Sequence, residues 1–448
     1  MNLIDILKKH ENTVRLHMPG HKGINLSQIN NDIFNLDLTE LADTDNLHDA
    51  KDILKDIQSK TAQIYNCRQS RFLVNGTTAG ILASINTSFK PGDKILVQRN
   101  SHMSVYHAAM LTDIELVYAY NNSPRCNEAY ALDLSELERH AKSIKGIVLT
   151  YPTFVGTCAD ISKIASFAKA NNKTLIVDEA HGAHLRFSDR YPLAAEECGV
   201  DLAVQSTHKT LSSLTQTSLL HVCSNKVDTD RLDFYLRVYQ TSSPSYILMN
   251  SLYDAVMYAS ENAKTVFNNI ITWRDELKEM LLGTGFYLME EDVYDWSKIW
   301  VNVKQSGYNG FEIKKMLDER NVYVEYASFD YVLGLGGIGT SRGDFIALAN
   351  ALRSIKSTDI IQENKIILPQ AQAKTTLKEA VLREYEYCDY KDTKNKTAAD
   401  FIIPYPPGIP LIVPGEMINQ NIIDLISKYE NTDMDVMGLK NGRIKVLK

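Results

Sequence analysis

Two short apolar runs, each closed by chemically reactive residues, constrain this chain more than any other feature. The first, Thr174-Leu175-Ile176-Val177, ends in Asp178-Glu179-Ala180-His181-Gly182-Ala183-His184. The second, Asp201-Leu202-Ala203-Val204-Gln205, ends in Ser206-Thr207-His208-Lys209-Thr210. Runs that are short, rich in β-branched residues and bounded by polar ones have the pattern of strands buried on both faces of a parallel sheet. Functional groups then stand at the carboxyl ends of two strands, the edge at which open α/β sheets bind ligands.

An acid at one strand end and a lysine at the next suit pyridoxal phosphate (PLP). That cofactor takes a lysine amine as a Schiff base and a carboxylate beside its pyridine nitrogen. Lys209 and Asp178 are the candidates. Taken alone, the pair fits equally a solvated surface lysine and a strand-end cap, so the remainder of the chain has to decide.

Strand and helix patterns alternate around this pair, with strands expected at 71–74, 94–98, 116–118, 146–150 and 218–222 and helices near 49–66 and 160–171. Such alternation implies βαβ units and a mainly parallel sheet. Asn75-Gly76-Thr77-Thr78-Ala79-Gly80 links a strand to a helix, and the helix N-terminus with two hydroxyls suits a phosphate. A threonine-capped helix is the plainer alternative. His102 closes another strand, where its ring could stack on a flat cofactor.

A long helical region, 247–282, leads to short strands at 299–303 and 322–325 with helices between. The expected organisation is an N-terminal segment over 1–48, a PLP-binding large domain over 49–282 and a smaller C-terminal α+β domain over 283–448. The loop from Arg15 to Gly23 is too rich in proline, glycine and histidine for a helix, and elementary physics assigns it no role.

Net charge is −7 without a long basic run, which argues against a nucleic-acid partner. Six cysteines are scattered without a CxxC pair, which favours reduced thiols in a cytoplasmic protein over disulfides or a zinc site. His181-x-x-His184 has no evident third ligand, so no metal is expected. No signal peptide or membrane span is apparent.

Taken together the motifs resemble the ornithine/lysine/arginine decarboxylase family, PLP-dependent enzymes with the aspartate aminotransferase-like fold (fold type I). The resemblance runs from His17-Met18-Pro19-Gly20-His21-Lys22 through Asn75-Gly76-Thr77-Thr78-Ala79-Gly80, Arg99-Asn100-Ser101-His102, Asp178 to His184 and Ser206-Thr207-His208-Lys209. It ends in Tyr405-Pro406-Pro407-Gly408-Ile409-Pro410 and Pro414-Gly415-Glu416. The first core motif begins near residue 15, which resembles the family's short biosynthetic form without a wing domain.

Carried over by motif, the resemblance implies that Lys209 forms the Schiff base, Asp178 pairs with the pyridine nitrogen and His102 stacks on the ring. Gly76, Thr77, Thr78, Ser206 and His208 would hold the phosphate, with His181 on the ring-hydroxyl side. Ser243 would reach a partner subunit's site in a homodimer or higher assembly, and Glu416 would bind the substrate's distal cation. The implied reaction is α-decarboxylation of a basic amino acid, first arginine to agmatine for polyamine biosynthesis, then lysine or ornithine. The competing readings are another PLP lyase or aminotransferase of the same fold and a non-catalytic PLP-binding homologue.

Overall fold

Strand β1 (Val14–Leu16) bypasses the sheet that follows it in sequence and pairs in parallel with residues 322–324, so this segment is anchored far along the chain. The computed structural model describes residues 13–26, 33–41, 44–120, 126–358, 372–432 and 434–448. The central sheet has seven strands: β2 (Gln69–Leu73), β3 (Lys94–Gln98), β4 (Glu115–Ala119), β5 (Gly146–Thr150), β6 (Thr174–Asp178), β7 (Leu202–Gln205) and β8 (Ser218–Val222). Their spatial order is β2-β8-β7-β6-β5-β3-β4. Only β8 runs against its neighbours, so the sheet is mainly parallel as the alternation predicts.

Both faces are covered. Leu175 and Val177 of β6 pack into one core with Ala263 and Phe267 of the helix Tyr246–Met280, while Ile176 packs into another with Ile81 and Val105. That explains a continuous apolar run in place of strand alternation. Each fully buried aliphatic side chain contributes about 1.5–3 kcal/mol. The helix Gly76–Ser88 lies against the sheet at Gly80, where a Cβ would come within 2.6 Å of a Val204 methyl and 2.7 Å of a Leu73 methyl. A side chain there would lift the helix away from β7 and the phosphate-facing turn with it.

The region after the long helix departs from the single domain expected over 283–448. Strands β9 (Tyr287–Leu288), β10 (Lys298–Asn302), β11 (Val322–Val324), β12 (Tyr326–Ala327) and β13 (Tyr331–Leu335) follow it. Four of them form an antiparallel sheet, β12-β13-β10-β9, whose Ile299 and Val301 share a core with Leu149 and Phe267. Farther on, Tyr390, Ile412, Ile426 and Val446 close a separate core. Short strands and helices recur across both pieces, so their periodicity does not reveal that they serve two cores.

Candidate active site

Parallel pairing of β6 with β7 brings the two motifs together at one sheet edge. Asp178 ends β6, is 4 % exposed and accepts a hydrogen bond from the Ala180 N–H at 3.2 Å. Burial raises its pKa, and Lys209 opposes the rise. Lys209 lies in the single turn Thr207–Thr210 after β7. Burial lowers its pKa to about 8, with Asp178 working against that shift and Lys298 adding to it. A lysine so placed offers far more free amine near neutral pH than an ordinary lysine does, as a carbonyl-seeking nucleophile requires.

Of the residues expected to hold a phosphate, Gly76, Thr77 and Thr78 open one helix and Ser206 and His208 follow β7. Asn75 precedes the helix Gly76–Ser88 without a side-chain cap, leaving its N-terminus open to an anion. Gly76 has φ +71° and open space where a Cβ would stand. Ser206 Oγ donates to Thr77 Oγ1 at 3.3 Å, Thr78 is exposed, and the His208 Nδ1–H donates to the Thr217 carbonyl at 2.8 Å. Burial lowers the His208 pKa to about 4.

His102 caps the helix Met103–Thr112 by accepting from the Ser104 N–H at 3.2 Å. Burial, then the charge of Lys209, depresses its pKa to about 3, leaving a neutral ring suited to stacking. His181 stands between two lysines, with its Nε2 3.1 Å from Lys209 Nζ and its Nδ1 3.1 Å from Lys298 Nζ. Phe154 meets it edge-on at 5.4 Å. These donors match PLP's needs: an uncapped helix N-terminus with hydroxyls for phosphate, a buried carboxylate for a protonated ring nitrogen, and an amine for the aldehyde.

Comparison with known proteins agrees. The sequence matches "Orn/Lys/Arg decarboxylase, major domain" over residues 3–325 and "Orn/Lys/Arg decarboxylase, C-terminal domain" over residues 358–442. The chain belongs to the Orn/Lys/Arg decarboxylase family. Relatives of this family member include the uncharacterized protein YaaO of Bacillus subtilis, 32 % identical over 97 % of this chain and 94 % of that protein. Arginine decarboxylase of the same organism is 29 % identical over 99 % of this chain and 96 % of its own length. Among solved structures, lysine decarboxylase A from Pseudomonas aeruginosa superimposes with a TM-score of 0.77 at 18 % identity, covering 92 % of this chain and 73 % of that one. The fold is thus that of the PLP-dependent fold type I enzymes.

Within this family member one expected site residue has a partner that its local sequence does not show. Glu416, expected to bind a substrate's distal cation, is already held through one oxygen: its Oε2 pairs with Arg99 at 3.2 Å and accepts from the Val413 N–H at 2.8 Å, with both side chains at most 4 % exposed, while Oε1 is buried with no hydrogen-bond partner among the described residues. Arg99 further donates to the Pro410 carbonyl at 2.7 Å. The pair therefore locks the 405–416 loop onto the end of β3 beside His102. Breaking a buried pair typically costs about 3–5 kcal/mol. Glu416→Gln is expected to lower the apparent Tm by roughly 3–5 °C while leaving KM for a basic amino acid within twofold. A tenfold rise in KM at unchanged Tm would restore the substrate-binding role. Ser243 is exposed, in the loop before the long helix, where its N–H donates to Thr241 Oγ1 at 3.3 Å.

The loop 17–23 acquires a place. Gly20 donates its N–H to the His208 carbonyl at 2.8 Å and accepts from the Gly339 N–H at 3.1 Å. A Cβ on Gly20 would fall 2.4 Å from the Leu211 carbonyl oxygen. The Met18 N–H donates to Glu325 at 2.9 Å, and Lys22 donates to the His17 carbonyl at 2.6 Å. The loop thus straps the Lys209 segment to the antiparallel-sheet region. Sequence reasoning also missed Lys298, Asp295 and Glu325. Lys298 is the first residue of an apolar strand, where nothing local betrays its complete burial.

Proposed function

We propose that this family member is a PLP-dependent arginine decarboxylase, releasing CO2 and agmatine. The observation that carries the reading is the placement of Asp178 and Lys209 at adjacent strand ends beside an uncapped helix N-terminus, in a chain of the Orn/Lys/Arg decarboxylase family. Arginine is favoured because relatives of that name align over 98–99 % of this chain at 27–29 % identity. An inducible lysine decarboxylase of Escherichia coli aligns over 88 % at 22 %.

PLP, when bound, supplies an electron sink for the pair left behind as the carboxylate departs. Lys209 provides the amine that binds the cofactor aldehyde. Asp178 would hold a proton on the pyridine nitrogen, and its burial would strengthen that contact. His102 would stack on the ring. Gly76, Thr77, Thr78, Ser206 and His208 would hold the phosphate, and His181 would keep a proton carrier beside Lys209. Ser243 completes a partner subunit's site in a homodimer, and the protein works in the cytoplasm in polyamine synthesis. Among the described residues no helix is long and apolar enough to cross a membrane.

The test is to incubate the purified protein and PLP with arginine, lysine and ornithine separately and to identify the products. Agmatine with an equal amount of CO2, at the highest kcat/KM of the three, is expected. Cadaverine or putrescine as the preferred product would reassign the substrate. A keto acid without CO2 would replace decarboxylation by transamination.

A further inference from the structure

Lys298 and Asp295 lie behind His181, in a buried chain of polar groups that the proposed reaction does not use. Both are 0 % exposed. Asp295 receives the His184 Nε2–H at 2.9 Å, the Ser297 N–H at 3.0 Å and the Ser297 hydroxyl at 2.7 Å. Its second oxygen is 3.7 Å from Lys298 Nζ. Burial opposes ionisation of Asp295, but His184 and Lys298 outweigh it and hold the carboxyl at about 2. An ionised carboxylate in a dry interior demands a counter-charge, and Lys298, three residues on, meets it. His184 is itself fixed by stacking on Phe267, with ring centroids 4.6 Å apart.

The two 3.1 Å contacts of His181 then require one lysine as ammonium and the other as free amine. A neutral imidazole has one N–H and one acceptor nitrogen, and an ammonium only donates. Two ammonium groups cannot both donate to the same neutral ring. Burial lowers the Lys298 pKa, but Asp295, 3.7 Å from its Nζ, opposes that and favours Lys298 as the ammonium; it then donates to Nδ1, and Nε2 carries the proton toward Lys209. Lys209 must accept, which requires its free-amine form. We propose that Lys298, held by Asp295, is a positioning residue that fixes His181 as its Nε2–H tautomer and thereby favours the free-amine form of Lys209, ready for a carbonyl.

This inference rests on the reading of Lys209 as the cofactor-binding amine, but two of its tests need neither cofactor nor turnover. The groups acting on Lys209 are Asp178 from β6, His102 from the helix after β3, His181, Lys298 from β10 and Glu325 after β11. In protein without PLP, ¹⁵N-histidine NMR, with the His181 resonance assigned from a His181→Gln sample, should show protonated Nε2 and bare Nδ1. A protonated Nδ1 in the parent protein overturns the proposal whatever the variants do. Amine acylation of Lys209, followed by peptide mapping across pH, should have its midpoint near 8 in the parent.

Lys298→Met should move that midpoint upward, because a like charge that depresses it is gone, and should mix the His181 tautomers. With PLP added, it should lower kcat about 100-fold with KM within threefold. Lys298→Arg, which keeps charge and donor, should recover at least half of the midpoint shift. If Lys298→Met is folded by circular dichroism yet keeps one tautomer and an unmoved midpoint, the proposal fails. A negative product assay alongside the expected tautomer and midpoint would instead strike the decarboxylase reading alone.

Discussion

Lys209→Ala should abolish decarboxylation, with a loss of about 10³-fold or more, because no other group at the strand edge offers a free amine in that position. The same variant should lose the visible absorbance that a lysine-bound PLP gives, while its far-ultraviolet circular dichroism matches the parent. Lys209 sits on a single helical turn whose neighbours Thr207 and Thr210 are fully buried, so truncating its half-buried side chain leaves the packing intact. A Lys209→Ala protein with more than a tenth of parent activity would show that another amine does the work. Lys298 and Lys22 are the obvious substitutes: Lys298 reaches His181, and burial brings the Lys22 pKa down to about 7 despite the opposing charge of Glu325.

Asp178→Asn separates chemistry from cofactor retention. The amide nearly preserves size and can still accept the Ala180 N–H, but it cannot hold a proton on the pyridine nitrogen. Losing one charge-assisted contact in a water-poor site costs on the order of 2–4 kcal/mol of transition-state stabilisation, or about 30- to 1000-fold in kcat. PLP occupancy should fall far less, because the phosphate contacts and the Lys209 linkage remain. The measurement pairs kcat for arginine with cofactor content by absorbance. A variant within threefold of the parent rate removes Asp178 from its proposed role, and one that loses PLP and activity together makes it an anchoring residue.

What the sequence reveals follows the range of the interactions involved. The strands ending in Asp178 and Lys209 were legible because burial on both faces writes a continuous apolar run, and the helix after Gly76 because its turn chemistry is local. The antiparallel course of β8 was not, since Ser218–Val222 has the composition of any buried strand and its direction is set by the connection that brings it between β2 and β7. The partner of Glu416 is hidden for a related reason. A carboxylate in a proline-fixed loop looks poised for a ligand until Arg99, more than 300 residues earlier, is seen to occupy it. Arg99 stands in the same motif as His102, and a cation at a buried strand end needs an acid somewhere. That requirement is the signal by which the pair could have been found.

Lys298 was harder still. Its burial depends on β10 pairing with β13 and β9 and on the packing of its side chain stem near Gly156, none of which is local. The strap formed by residues 17–23 is likewise a long-range feature, joined to His208, Gly339 and Glu325 by backbone and side-chain hydrogen bonds.

The most direct test of the account is to load the protein with PLP, reduce it with borohydride, digest it and locate the pyridoxyl mass by peptide sequencing. The account predicts the label on Lys209 alone, in the peptide containing Ser206-Thr207-His208, and no label in the Lys209→Ala protein. A label on Lys298 or Lys22, or an unlabelled Lys209 in a protein that still decarboxylates arginine, would contradict it.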